Sequence, residues 1–281
     1  MKAVVILLTI FSISFLTDMP TDNFPGAVIS NGLLTAKILL PDEKTGYYQG
    51  TRFDWSGNIE SLKYSGHEYF GKWFAIYDPR IHDAIMGPVD DFLPIDYDNA
   101  GPGETFLKIG IGVIERPDEK PWTFTRTYPV ADYGRWKVKT EPDRINFSHR
   151  IKGKKYSYEY EKIVELVSGK PEMVIVHRLR NNGNATLETQ CYNHNFFVID
   201  NQPVGPDYSA EFPFRISGEF RDNPEVVEIR DNMFTLRREL VTPETIYSAG
   251  LQGPGDDEYC ITVENKKSGA GVRITCDRPL L

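Results

Sequence analysis

The sequence predicts an all-β protein, a large antiparallel β-sandwich with few helices. Apolar and polar residues alternate with a period of two along most of the chain, and no long stretch shows the i, i+3, i+4, i+7 apolar stripe of an amphipathic helix. Aromatic residues, which favour strands, make up 12% of the sequence. The 23 glycines and 19 prolines are scattered over the whole length and indicate many turns. We expect residues 25–281 to form a single domain, since sandwiches reach this size as one unit.

The expected strands follow one another along the chain. LLTAKILL is followed by NIESLKYSGHEYF, a hairpin turning at SGH, and then by FLKIGIGVI. Four further segments, separated by turns rich in Gly, Asn and Lys, predict an antiparallel meander: RINFSHRI, YSYEYEKIVELV, MVIVHRLR and ATLETQCYNHNFF. His149 and His177 lie in phase with apolar neighbours, so we expect them in the core or in a half-buried sheet. His67, at a hairpin tip, is expected to be exposed.

Charge and cysteine content exclude several classes of function. The net charge of −8 and a single short basic run, KGKK, argue against a nucleic-acid partner. Three cysteines are too few for a disulfide framework, and no C-x-x-C spacing is present. DDFLPIDYDNAGPGE breaks the twelve-residue calcium-loop pattern. We therefore expect neither a metal nor a cofactor.

The first residues carry one lysine and then an apolar run, MKAVVILLTIFSISFL. That run is short for a membrane span and is typical of a secretory signal peptide, although no A-x-A-like cleavage site follows. We expect residues 1–20 to be a signal peptide, the protein to be exported to the periplasm or the extracellular space, and no membrane span to remain once the peptide is removed.

Two segments contain candidate binding and catalytic residues. In YYQGTRFDWSGN, Arg52 lies between a glycine turn and two aromatic residues, one of them Trp55. A planar guanidinium beside flat rings suits the recognition of sugar hydroxyls and C–H faces. In CYNHNFFVIDN, His194 stands between two asparagines where a strand runs out into a polar loop. A core histidine would lie inside the alternation of its strand, so this position favours a ligand-facing role.

Together these segments resemble the aldose 1-epimerase (galactose mutarotase) family, including its hexose-6-phosphate mutarotase branch. GTRFDWSG is similar to the family's substrate-binding arginine segment, NGNATLETQCYNHNFF to the strand that supplies its catalytic histidine, and YCITVENKKSGAGVRITCDRPLL to its late hairpin. The order and rough spacing agree over most of residues 25–281. The resemblance implies a supersandwich fold, a sugar or oligosaccharide ligand and anomer interconversion by ring opening.

The resemblance also implies the roles of individual residues. His194 would protonate the ring oxygen while a carboxylate removes the anomeric proton, which is acid–base chemistry without a cofactor. Arg52, Trp55, His82, Asn193 and Asp207 would contact the substrate, His82 as a loose counterpart of the family's second histidine.

The family's catalytic glutamate has no counterpart before Leu281. A longer chain could supply it, another carboxylate could replace it (Asp207, Glu211 and Glu219 are the first candidates), or catalysis could be lost. The alternatives to an isomerase are thus a noncatalytic carbohydrate-binding protein and an accessory domain of a polysaccharide lyase or glycoside hydrolase.

Overall fold

The computed structural model describes residues 23–241, 244–249 and 260–277. The predicted signal peptide, residues 1–20, lies outside the described residues. Within the described ranges no helix has both the length and the apolar character needed to cross a membrane.

The described residues form twenty β-strands, and helical structure is limited to 3-10 turns such as Ile199–Asn201 and Pro224–Val226. The prediction of an all-β sandwich with few helices is confirmed. In chain order the strands are β1 Gly26–Ser30, β2 Leu34–Leu39, β3 Asn58–Tyr64, β4 His67–Glu68, β5 Gly87–Phe92, β6 Thr105–Lys108, β7 Gly112–Glu115, β8 Val130–Asp132, β9 Arg135–Thr140, β10 Arg144–Lys152, β11 Ser157–Leu166, β12 Met173–Asn181, β13 Cys191–Phe196, β14 Tyr208–Glu211, β15 Glu219–Arg221, β16 Val227–Arg230, β17 Met233–Leu236, β18 Tyr247–Ala249, β19 Cys260–Asn265 and β20 Ala270–Thr275.

All pairings between these strands are antiparallel. The sheets, in order of neighbouring strands, are β1-β2-β3-β4, β12-β11-β10-β9, β16-β17-β14-β19-β20, β6-β7-β8 and the two-stranded ribbons β13-β5 and β15-β18. The predicted late hairpin is present as β19 and β20. FLKIGIGVI is not one strand but the β6–β7 hairpin, with its turn at residues 109–111.

The predicted meander exists, but its fourth strand is different. β9, β10, β11 and β12 form the sheet, whereas β13 leaves it and pairs with β5. The sequence reasoning placed β13 beside β12 because they are adjacent in the chain. In the structure, residues 182–190 instead carry the chain across to a strand that lies about a hundred residues earlier in the sequence.

Alternation along β10 produces the core predicted from RINFSHRI. Ile145, Phe147, His149 and Ile151 are all buried, and they pack with β11 and the first sheet. The Nε2 of His149 donates to the carbonyl of Tyr133 at 2.8 Å. Burial lowers the pKa of His149 to about 4. His149 is thus a neutral core residue, as expected.

The expectation that His67 is exposed was wrong. His67 is half-buried, and its Nδ1 lies 2.9 Å from Oδ2 of Asp200. Asp200 also accepts a hydrogen bond from the Glu68 amide at 3.0 Å. This pair fastens the β3–β4 hairpin to the loop that follows β13, and so helps to fix the end of that strand.

Candidate functional site

The ribbon of β5 and β13 carries polar side chains on both of its faces. In its register His194 lies opposite Val89, and Asn193 lies opposite Asp90. Successive residues of a strand point to opposite faces, and residues directly opposite in an antiparallel pair share a face. Asp91, two residues after Val89, therefore shares the face of His194. Asp90 faces the other side, so neighbouring carboxylates serve two separate sites.

The first face holds a group of ionisable side chains that we call the Arg52 cluster: Arg52, His82, Asp83, Asp91, Lys108 and His194. The Nε of Arg52 donates to Asp91 at 3.3 Å, and its Nη1 donates to Asp83. Lys108 donates to Asp91 at 2.9 Å and to the carbonyl oxygen of Arg52 at 2.6 Å. Burial lowers the pKa of Lys108, and Asp91 opposes that shift. Two cations therefore meet two carboxylates, and the charges balance.

Main-chain hydrogen bonds fix the segment that carries Arg52. The amide of Asp54 donates to the carbonyl of Asp90 at 2.9 Å, and the amide of Trp55 donates to Gly110 at 3.1 Å. Gly110 has a φ of +74°, and a Cβ there would lie 2.6 Å from the Cβ of Asp54. A glycine is required at this approach, which holds Arg52 beside β5.

His194 is 5% exposed, and its imidazole makes no hydrogen bond to any residue in the described ranges. Its ring contacts are aromatic: edge-on to Phe53 at 5.0 Å between centroids and stacked on Phe196 at 5.8 Å. Burial, followed by the charge of Arg52, lowers the pKa of His194 to about 4. The ring is therefore neutral near pH 7, with hydrogen-bonding capacity that the surrounding protein does not use. The nitrogens of His194 are not among the fully buried, unpartnered side-chain atoms of the described residues, so this open capacity is accessible to a ligand.

His82 and Asp83 form the solvent-facing side of the cluster, with side chains that are 24% and 26% exposed. The Nδ1 of His82 lies 2.9 Å from Oδ1 of Asp83, so the two side chains are in direct polar contact. Burial alone would raise the pKa of Asp83, but His82 and Arg52 outweigh it and lower that pKa. Asp83 is thus ionised near pH 7. It supplies a carboxylate beside the histidines.

The opposite face of the ribbon holds a second group, the Asp54 cluster: Asp54, Asp90, Tyr160, Lys162, His177 and Asn193. Lys162 lies 2.8 Å from Asp90 and 3.4 Å from Asp54. The hydroxyl of Tyr160 donates to Asp54 at 3.0 Å and lies 2.9 Å from Nδ1 of His177. Asn193 donates to Asp90 at 3.0 Å. Each buried charge of this cluster therefore has a partner.

The two carboxylates of the Asp54 cluster differ in their pKa. Burial raises the pKa of Asp54, and Lys162 offsets this only in part. Burial also acts on Asp90, but Lys162 and then His177 outweigh it, and the pKa of Asp90 is lowered. The pair Lys162–Asp90 is thus the ion pair that holds this cluster, with Asp54 as its hydrogen-bonded neighbour.

The structure brings together three of the residues singled out in the sequence, Arg52, His82 and His194. It does not bring the other three to them. Trp55 is 3% exposed, its N–H donates to Gly50 at 2.8 Å, and its ring packs on Tyr133, so it offers no flat face to a sugar. Asn193 is exposed on the opposite face of the ribbon.

Asp207 is exposed in the turn before β14, where its carbonyl accepts from the Lys266 amide at 2.8 Å. It belongs to the five-stranded sheet and not to the Arg52 cluster. A groove of about 420 Å³ on that sheet shares no residue with the cluster; it is lined by Pro206, Glu228, Arg230, Met233, Thr235, Leu236, Arg237 and Lys266.

Sequence reasoning overlooked Asp83, Asp91, Lys108, Lys162 and Phe124. One signal was available: Lys162 stands in the buried phase of β11, where its neighbours in phase are the core residues Tyr160 and Val164. A lysine in that phase needs buried counter-charges. The other four residues gave no signal in the sequence, because their contacts depend on which distant segments of the chain lie next to them.

The described residues contain no group of three or more His, Cys, Asp or Glu side chains arranged to hold a metal ion. Comparison of the chain with protein-family models, curated proteins and solved structures found no match. The resemblance to the aldose 1-epimerases therefore rests on the sequence motifs alone.

Proposed function

We propose that this protein binds a carbohydrate and interconverts its anomers by acid–base ring opening, as aldose 1-epimerases do. The observation that carries the proposal is His194: a neutral imidazole, almost fully buried, without a hydrogen-bond partner in the described part of the chain, and next to an arginine. A hydroxyl-bearing ligand would satisfy that ring. Asp83 supplies an ionised carboxylate beside the two histidines.

The charge states favour a different division of roles from the one that the family resemblance implies. Because its pKa lies near 4, His194 is unprotonated at neutral pH and suits the acceptor of the anomeric proton. His82, the more exposed of the two histidines and in contact with Asp83, is the candidate donor to the ring oxygen. The C1–O5 bond then breaks, its electron pair goes to the ring oxygen, and that oxygen takes the proton. Rotation about C1–C2 and the reverse transfers close the ring on the other face.

A second candidate is a noncatalytic carbohydrate-binding protein. The low exposure of His194 and Arg52, 5% for each residue, favours it, because ring opening needs direct access to the acid and the base. Binding without chemistry requires only that hydroxyls reach His82, Asp83 and the edge of His194.

Polarimetry on freshly dissolved α-D-glucose and α-D-galactose tests the proposal. We expect wild-type protein to accelerate mutarotation. We expect His194→Ala to reduce that acceleration by about 10²–10⁴-fold, the usual contribution of one positioned acid or base. His67→Ala is the matched control, since His67 pairs with Asp200 outside the cluster. A wild-type rate equal to that of buffer, with sugar binding retained, would establish the noncatalytic alternative. Absence of sugar binding would overturn both.

A further inference from the structure

Phe124 lies over the Arg52 cluster on its solvent side. Its ring is 45% exposed, and the guanidinium of Arg52 sits 4.2 Å from the ring centroid. Phe53 covers Arg52 at 4.6 Å, so two rings flank the cation. Phe124 also meets His82 edge-on, with centroids 5.7 Å apart. It is thus the exposed aromatic face of this site, the position that sequence reasoning gave to Trp55.

The loop that carries Phe124 is fastened on both sides of it. Arg126 donates to both carboxylate oxygens of Asp118, at 3.0 and 2.9 Å. Arg116 donates to the carbonyl of Asp118 at 3.0 Å, and Thr51, beside Arg52, donates to the carbonyl of Arg126 at 3.3 Å. These bonds tie the loop to the segment of Arg52. Phe124 is therefore a fixed wall beside the cluster.

The two permanent cations of the cluster, Arg52 and Lys108, are matched by two carboxylates. Arg52 is engaged by Asp83 and Asp91, and the ammonium of Lys108 is fully buried against Asp91. His194 is neutral near pH 7. A phosphate needs cationic donors that are free to turn toward it. Within the Arg52 cluster, Asp83 and Asp91 neutralise Arg52 and Lys108, and the ionised, partly exposed carboxylate of Asp83 repels an incoming phosphate.

We infer that Phe124 is the specificity-determining wall of the site, and that it selects an uncharged sugar ring whose C–H face packs on the phenyl group. This inference rests on the proposed function and names its substrate class: a free sugar, not a sugar phosphate. Hydroxyls at the other edge of the ring reach His82 and Asp83, while the exposed phenyl group supplies apolar contact.

Isothermal titration calorimetry of the full chain with D-glucose, D-galactose and their 6-phosphates tests the inference. We expect Phe124→Ala to weaken binding of the free sugars about fivefold to tenfold, and Phe124→Tyr, which keeps the ring, to restore it. Phe74→Ala is the matched control, because Phe74 packs on Trp73 in a neighbouring aromatic group without contacting Arg52. The 6-phosphates should bind at least tenfold more weakly than the free sugars.

The outcomes separate this inference from the function on which it rests. If free sugars bind Phe124→Ala as tightly as wild type, Phe124 is not the wall. If the 6-phosphates bind as tightly as free sugars, the uncharged substrate class is wrong while the carbohydrate site stands. If none of these sugars binds wild-type protein, the proposed function falls and the inference with it.

Discussion

The two faces of the β5–β13 ribbon use the same kinds of residues for different ends. On each face a buried lysine meets a carboxylate of the Asp90–Asp91 pair, and a histidine lies close by. In the Asp54 cluster the charges are all hydrogen-bonded, with Lys162 and Asp54 at most 1% exposed. In the Arg52 cluster His194 has no hydrogen-bond partner among the described residues, and His82 and Asp83 reach the surface.

This difference distinguishes buried polar groups that stabilise the fold from buried polar groups that remain available to a ligand. A fully satisfied buried network fixes the geometry of the strands around it, and nothing in it is left to contact a ligand. In the Arg52 cluster, by contrast, the imidazole of His194 keeps hydrogen-bonding capacity that no described residue uses, and Nδ1 of His82 is buried without a hydrogen-bond partner among the described residues. We therefore propose that the Asp54 cluster serves the fold and that the Arg52 cluster serves ligand binding.

The largest expected effect comes from removing the buried cation of the Asp54 cluster. Lys162→Met should lower the free energy of unfolding by about 3–5 kcal/mol, because it leaves Asp54 and Asp90 buried without their cation. Urea unfolding followed by tryptophan fluorescence measures it. Lys170→Met is the control, since Lys170 pairs with Glu172 at an exposed position and should change stability by less than about 0.5 kcal/mol. A loss below about 1 kcal/mol for Lys162→Met would mean that water reaches the Asp54 cluster.

A smaller effect is expected on the free energy of unfolding at acid pH, where buried neutral histidines become unfavourable. His149 and His194 have pKa values lowered to about 4 in the fold. An unfolded histidine titrates near 6.5, so the unfolded chain binds more protons between pH 6.5 and 4. Their contribution to stability is complete above pH 6.5 and is lost as the pH falls toward 4. Going from pH 7 to pH 5 should cost about 2 kcal/mol for each of these two groups.

His194→Phe should remove about half of that acid sensitivity, while its stability at pH 7 stays within about 1 kcal/mol of wild type. Unfolding midpoints in urea at pH 7, 6 and 5 provide the measurement. His67→Gln serves as the control, because His67 is only half-buried and contacts Asp200 outside both clusters. An unchanged pH dependence in His194→Phe would show that His194 is not held neutral by the fold.

The smallest expected effect concerns Asn193, which is adjacent to His194 in the chain but lies on the other face. Asn193→Ala removes a hydrogen bond to Asp90 and should cost about 1 kcal/mol of stability. It should leave sugar affinity and mutarotation unchanged, because the ribbon separates it from the Arg52 cluster. Calorimetry and polarimetry on the same preparation measure both properties. A tenfold loss of affinity would place the ligand on the Asn193 face, so that the Asp54 cluster and not the Arg52 cluster would be the binding site.

Much of the strand structure could be predicted from the local pattern of apolar, polar and turn residues. The period-two alternation identified β2, β3 and β10 to β12, and the SGH turn placed the β3–β4 hairpin correctly. The β19–β20 hairpin was expected from the family resemblance and is present. The same pattern failed for β13, since alternation specifies which face of a strand is buried and says nothing about its partner. It also failed for FLKIGIGVI, where positive-φ backbone at Gly110 turns one apparent strand into two.

The sequence by itself determined the all-β class, the phase of each long strand, and Arg52, His82 and His194 as candidate residues, because these depend on alternation and on local motifs. Only the tertiary structure decided which of them meet. The pairing of β13 with β5 brought Asp91 and Asp83 to His194 and sent Asn193 to the opposite face. Trp55 is buried in the structure, and Phe124 is an exposed ring in contact with Arg52. Such long-range neighbours and their desolvation set the charge of a buried group, and neither can be obtained from the order of residues along one strand.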